Sequence, residues 1–178
     1  MVTENHTEKQ ARAQAESIAT MVAAIECNYA RLDELRENLE TACFDESQST
    51  DPNPRGWISD VARNADHTYH AAATEFIELE TAAGDCTSEE EAREAIEQDP
   101  LDVEIRSNWH TPGETGEPEE FRILLCTGGP HVEIVGAIDR GQPSRPRILY
   151  QDWGASGELF DFDREAVLTY CRVFYFGE

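Results

Sequence analysis

The chain has 178 residues, of which 39% are hydrophobic, and its 37 acidic against 14 basic residues give a formal net charge of −23. This length suits one domain or two small ones, and no apolar segment approaches the ~20 residues that span a bilayer. So acidic a surface repels nucleic acid and anionic membranes and attracts basic proteins, which excludes direct nucleic-acid and membrane partners.

The cysteines and the N-terminus both predict a cytoplasmic protein. The five cysteines are an odd number, widely spaced and without a CxxC pair, which argues against a disulfide framework and against a zinc site. The opening segment MVTENHTEKQARAQAE lacks the basic-then-apolar order of a signal peptide. We therefore expect reduced thiols, no metal and no cofactor.

A long helix is the first predicted element. Apolar residues recur at alternating spacings of four and three from Ile18 to Cys43, interrupted only by Arg36, and this period predicts a helix over about residues 7–44 that packs along its length against another helix. The apolar seam is longer than a single partner helix covers. Exposed apolar surface of that kind marks interfaces, so the seam predicts a homodimer.

Two more helices follow a loop. Residues 46–56, ESQSTDPNPRG, contain two prolines and several turn-forming polar residues. The same apolar spacing then returns and predicts a second helix over about residues 57–83, antiparallel to the first. Ser88 followed by Glu91 predicts a capping box that opens a short third helix, which ends at about Gln98.

Beyond Pro100 the period changes from helical spacing to alternation, which predicts an antiparallel sheet. The predicted strands cover residues 101–109, 121–126, 131–138, 147–151 and, as a short fifth, 158–162. Asp163 is the predicted cap of a final helix whose apolar face packs on the sheet. The predicted fold is therefore α+β, with an acidic helical region at 1–98 and a sheet with a packed helix at 99–178.

Two residue pairs offer candidate chemistry, and neither amounts to a site. His67 and His70 are three apart on the second helix, but a third metal ligand is absent from their stripe. Cys126 and His131 flank the TGGP turn as a nucleophile and a base would, but nothing marks an orienting group or an oxyanion hole. We therefore predict no catalytic residue and no enzyme activity.

Short segments near the end of the sheet have structural interpretations. Gly128 and Gly129 of the TGGP turn are expected to supply the positive φ angles of a hairpin. Tyr150, Asp152 and Trp153 end a strand in the segment YQDWG. Trp153 is predicted to cover the edge of the sheet rather than to bind a partner.

The segments DPLDVEIRSNWH, RILLCTGGPHVEIVG, YQDWG and FYFGE carry a family resemblance. Over residues 99–178 the chain resembles small, mostly uncharacterised acidic proteins of phages, plasmids and other mobile elements. The resemblance implies a context, because such elements often encode acidic proteins that blunt host restriction or CRISPR systems. It implies no catalytic residue.

Charge and resemblance together predict an acidic inhibitor that imitates nucleic acid and binds a basic DNA- or RNA-handling protein, as anti-restriction or anti-CRISPR proteins do. The predicted partner-binding residues form two acidic groups, one beside the seam of the first helix and one at the start of the third. These residues are Glu26, Asp33, Glu37, Glu40, Glu89, Glu90, Glu91 and Glu94.

Three other interpretations stay open at this point. The chain is alternatively a coiled-coil adaptor that assembles without mimicry, or an enzyme or ligand-binding protein that uses the sheet. The acidity is alternatively a general surface adaptation, since Lys9 is the only lysine among the 14 basic residues. Salt-sensitive binding to a basic partner distinguishes mimicry from the rest.

Overall fold

The computed structural model of the chain describes residues 6–47, 52–114, 116–153 and 155–176. These residues form six helices and a five-stranded antiparallel sheet, which confirms the predicted α+β class. The elements run in the order α1 (His6–Ile25), α2 (Tyr29–Glu46), α3 (Pro54–Ala62), α4 (His70–Ala83), α5 (Glu89–Gln98), β1 (Asp102–Ser107), β2 (Pro118–Cys126), β3 (His131–Asp139), β4 (Gln142–Asp152), β5 (Ala155–Leu159) and α6 (Arg164–Cys171). None of these helices is apolar over a length sufficient to cross a membrane.

The chain divides into two compact units. Residues 23–92 form one, called here the helical unit, and residues 1–22 with 93–178 form the other, called the sheet unit. This division differs from the predicted regions 1–98 and 99–178, because most of α1 and the part of α5 from Arg93 onward group with the sheet.

The contacts of α1 explain its place in the sheet unit. The Thr7 hydroxyl donates a hydrogen bond to the carboxylate of Asp152 at the end of β4, with 3.4 Å between the oxygens. One turn further on, the Arg12 guanidinium lies 3.6 Å from the Asp161 carboxylate. Such contacts between residues far apart in sequence are not visible in the local period from which the helical region was predicted.

The core of the helical unit consists of apolar side chains from α2, α3 and α4. They are Leu32, Leu35, Leu39, Ile58, Val61, Ala73, Phe76 and Ala83. The α2 half of the predicted seam is therefore buried inside the chain. The homodimer was predicted from exposed apolar surface along this seam. The α2 half of the seam no longer supports it, and the homodimer remains an untested prediction.

The first predicted helix is interrupted between α1 and α2, so one continuous helix over 7–44 is wrong, although most of that range is helical. The side-chain oxygen of Asn28 accepts a hydrogen bond from the Arg31 N–H, with an O–N distance of 3.1 Å. Asparagine is a preferred N-cap because its side chain satisfies an N–H that has no partner in the first turn. A new helix thus starts in the middle of the apolar period.

The second predicted helix, over 57–83, is also divided, because a turn separates α3 from α4. In that turn the Asn64 side chain accepts the Asp66 N–H at 3.3 Å. His67 Nδ1 accepts the Tyr69 N–H at 3.2 Å. Polar side chains that bond the nearby backbone compete with helical hydrogen bonds, which explains the break.

The loop between the first two predicted helices is shorter than its predicted range of residues 46–56. Residues 48–51 lie outside the described part of the chain. Helix α3 begins at Pro54, where Asn53 is the N-cap and its side chain accepts the Gly56 N–H at 3.1 Å. Proline is favoured in the first turn because its missing N–H would have no helical partner there.

The sheet is a meander in which β1 to β5 lie in sequence order, each antiparallel to the next. Its inner face carries the buried apolar residues of alternate positions, namely Phe121, Ile123, Leu125, Val132, Ile134, Ile148 and Leu159. Helix α6 packs against β4, and the ring centroids of Phe121 and Phe176 are 4.9 Å apart. This is the predicted sheet with a packed C-terminal helix.

Strand boundaries differ from their predictions at several points. Strand β1 ends at Ser107, two residues before the predicted end, and β5 starts at Ala155 instead of 158. Part of the predicted loop 110–120 belongs to β2, which begins at Pro118; Thr115 of that loop lies outside the described residues.

Strand β4 is twice as long as predicted and contains two prolines, Pro143 and Pro146. Strand β5 pairs only with the Ile148–Asp152 half of β4, so the half that holds the prolines has β3 as its single paired neighbour. A strand with one neighbour tolerates proline, because the missing N–H can face away from the pairing.

Helix α6 begins at the predicted cap. The Asp163 carboxylate accepts the backbone N–H groups of Glu165 and Ala166, each at 3.0 Å. We expect Asp163→Ala to lower the free energy of unfolding by about 1 kcal/mol, the usual loss for an N-cap. Urea denaturation followed by circular dichroism measures it. Glu119→Ala, at an exposed position of β2, is the matched control, and equal stability of the two variants would contradict the role of the cap.

Candidate functional site

The first predicted acidic group lies at the start of the helical unit, and all four members are exposed. Asp33, Glu37 and Glu40 lie on α2, where spacings of four and three place them on one side of the helix. Glu26 lies in the break before α2, so the predicted seven-residue row does not run along a single helix. Asp33 pairs with Arg36 at 2.7 Å.

In the second group, Glu91 has a structural role. The Glu91 N–H donates to the Ser88 hydroxyl at 3.2 Å, which confirms that half of the predicted capping box. Its carboxylate accepts both the N–H and the hydroxyl of Thr87, at 2.7 and 2.8 Å, rather than the Ser88 N–H. These hydrogen bonds to the charged form lower the pKa of Glu91. Glu91 therefore stabilises the start of α5 and is a poor choice for a partner contact.

The other members of the second group, Glu89, Glu90 and Glu94, are exposed on α5. The field of Glu89 and Glu91 reaches the start of α2, where the pKa of Tyr29 is raised to about 12. Burial is the largest cause, followed by nearby thiols and then by the carboxylates of Glu91 and Glu89. The first turn of α5 and the start of α2 are thus electrostatic neighbours inside the helical unit.

The helical unit has 17 acidic and 4 basic residues, a formal net charge of −13. Each of the four arginines forms an ion pair inside the unit: Arg31 with Glu34 and Glu75, Arg36 with Asp33, Arg55 with Glu80, and Arg63 with Asp60. The Arg31–Glu75 pair is bidentate, with N–O distances of 2.8 and 2.7 Å, and lowers the pKa of the glutamate. Every arginine of the unit is thus paired with a carboxylate, and carboxylates remain in excess of the arginines.

The two histidines considered as metal ligands make other contacts. The His67 ring packs against Trp57 and Tyr69, with centroid distances of 5.7 and 6.1 Å, and its Nε2 lies 3.3 Å from the Glu46 carboxylate. His70 Nδ1 lies 3.4 Å from a backbone carbonyl of α3. Within the described residues, no three His, Cys, Asp or Glu side chains are grouped so that they could hold a metal ion.

The pair considered as nucleophile and base is not joined. The Cys126 thiol donates to the Pro130 carbonyl at 3.4 Å, whereas His131 Nε2 lies 3.1 Å from the Glu133 carboxylate. Burial raises the pKa of the Cys126 thiol, which favours the protonated, unreactive form. The hairpin turn between them is as predicted, although only the first of its two glycines, Gly128, has a positive φ, of 99°.

The outer face of the sheet carries a feature that the sequence analysis missed. An open depression of about 970 Å³ lies across β1 to β4. Four of the 14 basic residues of the chain line it, together with two glutamates and a few apolar groups. The charged lining residues are Arg106, Arg122, Arg145, Arg147, Glu104 and Glu120.

Ion pairs between neighbouring strands order most of these side chains. Arg106 pairs with Glu120 and Arg122 pairs with Glu104, and in both cases the partners are directly opposite each other in the register of β1 and β2. The alternation of charged residues in the sequence signals an outward face, but the register that brings the partners together is a tertiary property.

Two tryptophans of the sheet unit are almost fully exposed, Trp109 by 99% and Trp153 by 98%. The prediction that Trp153 covers the sheet edge is therefore wrong. It lies in the turn between β4 and β5, where its backbone N–H donates to the carboxylate of Asp152 at 2.7 Å. Gly154, the end of the YQDWG segment, lies outside the described residues.

The described residues thus present two distinct electrostatic features. The helical unit offers exposed carboxylates in excess, which suit a basic protein surface, and the outer face of the sheet offers guanidinium groups, which suit oxyanions. The chain matches no protein-family model, and neither a curated protein nor a solved structure matches it.

Proposed function

We propose that this chain binds a basic, nucleic-acid-handling protein through the helical unit and occludes the surface on which that protein holds nucleic acid. One observation carries the proposal: the helical unit has a net charge of −13, and all four of its arginines are paired internally. Such a unit attracts dense positive charge, and nucleic-acid-binding grooves are where proteins concentrate Lys and Arg. The mobile-element resemblance supports an inhibitory role.

The geometry indicates that the charge must act collectively. Steps of four and three residues along α2 separate the acids by ~6 and ~4.5 Å, whereas duplex DNA carries one charge per ~1.7 Å of axis. A single row of acids along a helix therefore has a lower linear charge density than duplex DNA. The proposed binding thus requires the acids of α2 to act together with those of the first turn of α5.

We expect reversal of the α2 group, Glu26→Lys with Glu37→Lys and Glu40→Lys, to weaken partner binding by about 1–3 kcal/mol, since each exposed ion pair contributes ~0.2–1 kcal/mol. Reversal of Glu90 should act in the same direction, with Glu91 retained because it caps α5 and Glu94 left unchanged because it belongs to the sheet unit. Affinity capture from a host lysate, followed by titration against the captured protein, measures the effect.

The matched control reverses three exposed acids of the sheet unit, Glu117, Glu119 and Asp139, which changes the net charge equally. Wild type and this control should capture the same DNA- or RNA-binding protein and displace nucleic acid from it. Capture should weaken from low to physiological salt, because the Debye length shortens to ~8 Å. Equal binding by both triple variants, or captured proteins that bind no nucleic acid, would refute the proposal.

A further inference from the structure

We propose that the depression on the outer face of the sheet is a binding site for a small organic oxyanion, with Arg145 as its central contact. The ligand class is a molecule with a phosphate or carboxylate group and an apolar part. This site belongs to the sheet unit and is independent of the acidic surface of the helical unit, so either proposal can fail without the other.

A β-bulge positions Arg145. Val135 pairs with Arg147 and Ala137 pairs with Ser144, so Arg145 and Pro146 together face the single residue Gly136. The extra residue changes the alternation of β4, so that Arg145 lines the outer depression while Pro146 is buried. Bulges re-aim side chains in this way, often next to functional sites.

The backbone at the bulge is strained. Arg145 has a φ of 51°, in the left-handed region that residues other than glycine occupy at a cost of ~1–2 kcal/mol. Glycine would adopt this conformation without that cost. Nothing in the packing of the sheet requires arginine there, because the side chain is exposed. Arg140 has a similar φ in the turn between β3 and β4, whereas Arg145 has it within β4 and lines the depression, and this placement points to a role in recognition.

The charge balance leaves Arg145 uncompensated. Arg106, Arg122 and Arg147 each pair with a glutamate of a neighbouring strand, the last with Glu158 at 2.7 Å. No carboxylate among the described residues forms an ion pair with Arg145. A guanidinium has five N–H donors, so the paired arginines keep donors for a further oxyanion. Glu133 and Glu158 border the depression and pair with Arg122 and Arg147, so four glutamates stand against its four arginines, and Arg145 is the lining arginine without an ion pair among the described residues.

The depression also has an apolar floor. Val135 lies between Arg122 and Arg147 in the register, and Ala137 lines the same space. Cross-strand neighbours are ~5 Å apart, so the backbone positions of Arg122 and Arg147 flank Val135, while their guanidinium groups also pair with Glu104 and Glu158. The volume of about 970 Å³ is within the range of small-molecule sites. An oxyanion held by arginines with a ring over Val135 fits this arrangement.

The test titrates the full chain with three probes, namely inorganic phosphate, adenosine monophosphate and phthalate, and follows the arginine side-chain N–H signals by NMR. We expect the signals of Arg145, Arg147 and Arg122 to shift with adenosine monophosphate or with phthalate, and to shift less with inorganic phosphate, which lacks an apolar part. A response to adenosine monophosphate identifies phosphate esters as the ligand class, and a response to phthalate identifies carboxylates.

Arg140 offers a matched control for Arg145. It is also exposed and has a φ of 52°, in the turn between β3 and β4, and it does not line the depression. Arg145→Gly should reduce affinity about tenfold or more, since a charge-assisted hydrogen bond has that magnitude, while Arg140→Gly should change it less than about twofold. Both variants should be at least as stable as wild type, because glycine relieves the positive φ.

The stability measurement separates lost binding from lost folding. Arg145→Lys should retain part of the affinity, because the charge remains without the bidentate fork. The absence of any response to adenosine monophosphate and phthalate would overturn the proposal. An equal loss of affinity in Arg140→Gly and Arg145→Gly would also overturn the proposal, because it would show that the loss comes from the lower positive charge of the chain and not from a site at Arg145.

Discussion

Replacing Phe76 with alanine is expected to lower the free energy of unfolding of the helical unit by about 3–5 kcal/mol, the usual range for a buried phenylalanine. Phe76 is 4% exposed on α4, inside the core formed with α2 and α3. The Arg36 guanidinium lies 5.9 Å from the centre of its ring, so the substitution also removes a cation–π contact. The substitution leaves a cavity between α2, α3 and α4, and we expect little of it to be filled by rearrangement of these short helices.

Tryptophan fluorescence during urea denaturation measures this effect selectively. Trp57 packs against the core of the helical unit, whereas the other two tryptophans, in the sheet unit, are almost fully exposed and report little on folding. The control is Phe44→Ala on α2, where the ring is 57% exposed and the expected loss is below ~1 kcal/mol. Similar losses in both variants would show that Phe76 is not a core residue.

Gly136→Ala is expected to destabilise the sheet unit by about 1–3 kcal/mol through overpacking. A Cβ at this position would lie 2.5 Å from two ring carbons of Phe121 and 2.8 Å from the Ser144 carbonyl oxygen. Phe121 is 2% exposed and its ring packs on Phe176, so it has little room to move. The Ser144 carbonyl directly precedes Arg145, so any shift there also disturbs the bulge.

The control for this variant is Gly129→Ala in the turn between β2 and β3, where an added Cβ meets no atom within 4 Å. Urea denaturation followed by far-UV circular dichroism should separate the two variants clearly. If Gly136→Ala were as stable as Gly129→Ala, the close approach of Phe121 to the β3 backbone would be wrong. A stable Gly136→Ala variant would also weaken the case for a rigid bulge beside the depression.

The arginines of the two units have different surroundings, and this difference underlies both proposals. In the helical unit each arginine is neutralised within the unit, and the carboxylates remain in excess. In the sheet unit, four arginines gather on one face although the unit as a whole is acidic. Composition indicated only the excess of carboxylates. The group of arginines on the sheet was not visible in it, because a net charge does not show where the charged residues lie.

Local signals in the sequence were sufficient for the class of fold and for several details. Alternation of apolar and polar residues predicted the strands that carry Ile123, Ile134 and Ile148, because a strand places successive side chains on opposite faces. Asp163 and Ser88 were correctly predicted as helix caps, because a cap depends on backbone groups within three residues of it. The exposure of all eight predicted acids also followed from helical period alone.

Two errors were local. The apolar period predicted continuous helices, yet Asn28 and Asn64 break them, because a side-chain bond to the nearby backbone competes with a period that specifies only which face is buried. Tertiary structure decided the rest. The bulge at Arg145 depends on the pairing of β3 with β4 and on the strands beyond them. Register is fixed by contacts between residues distant in sequence, so the composition of one strand does not reveal which arginines and glutamates meet. The sequence alone therefore determined the α+β class and the acidity of the helices, and only the folded sheet brought its four arginines together.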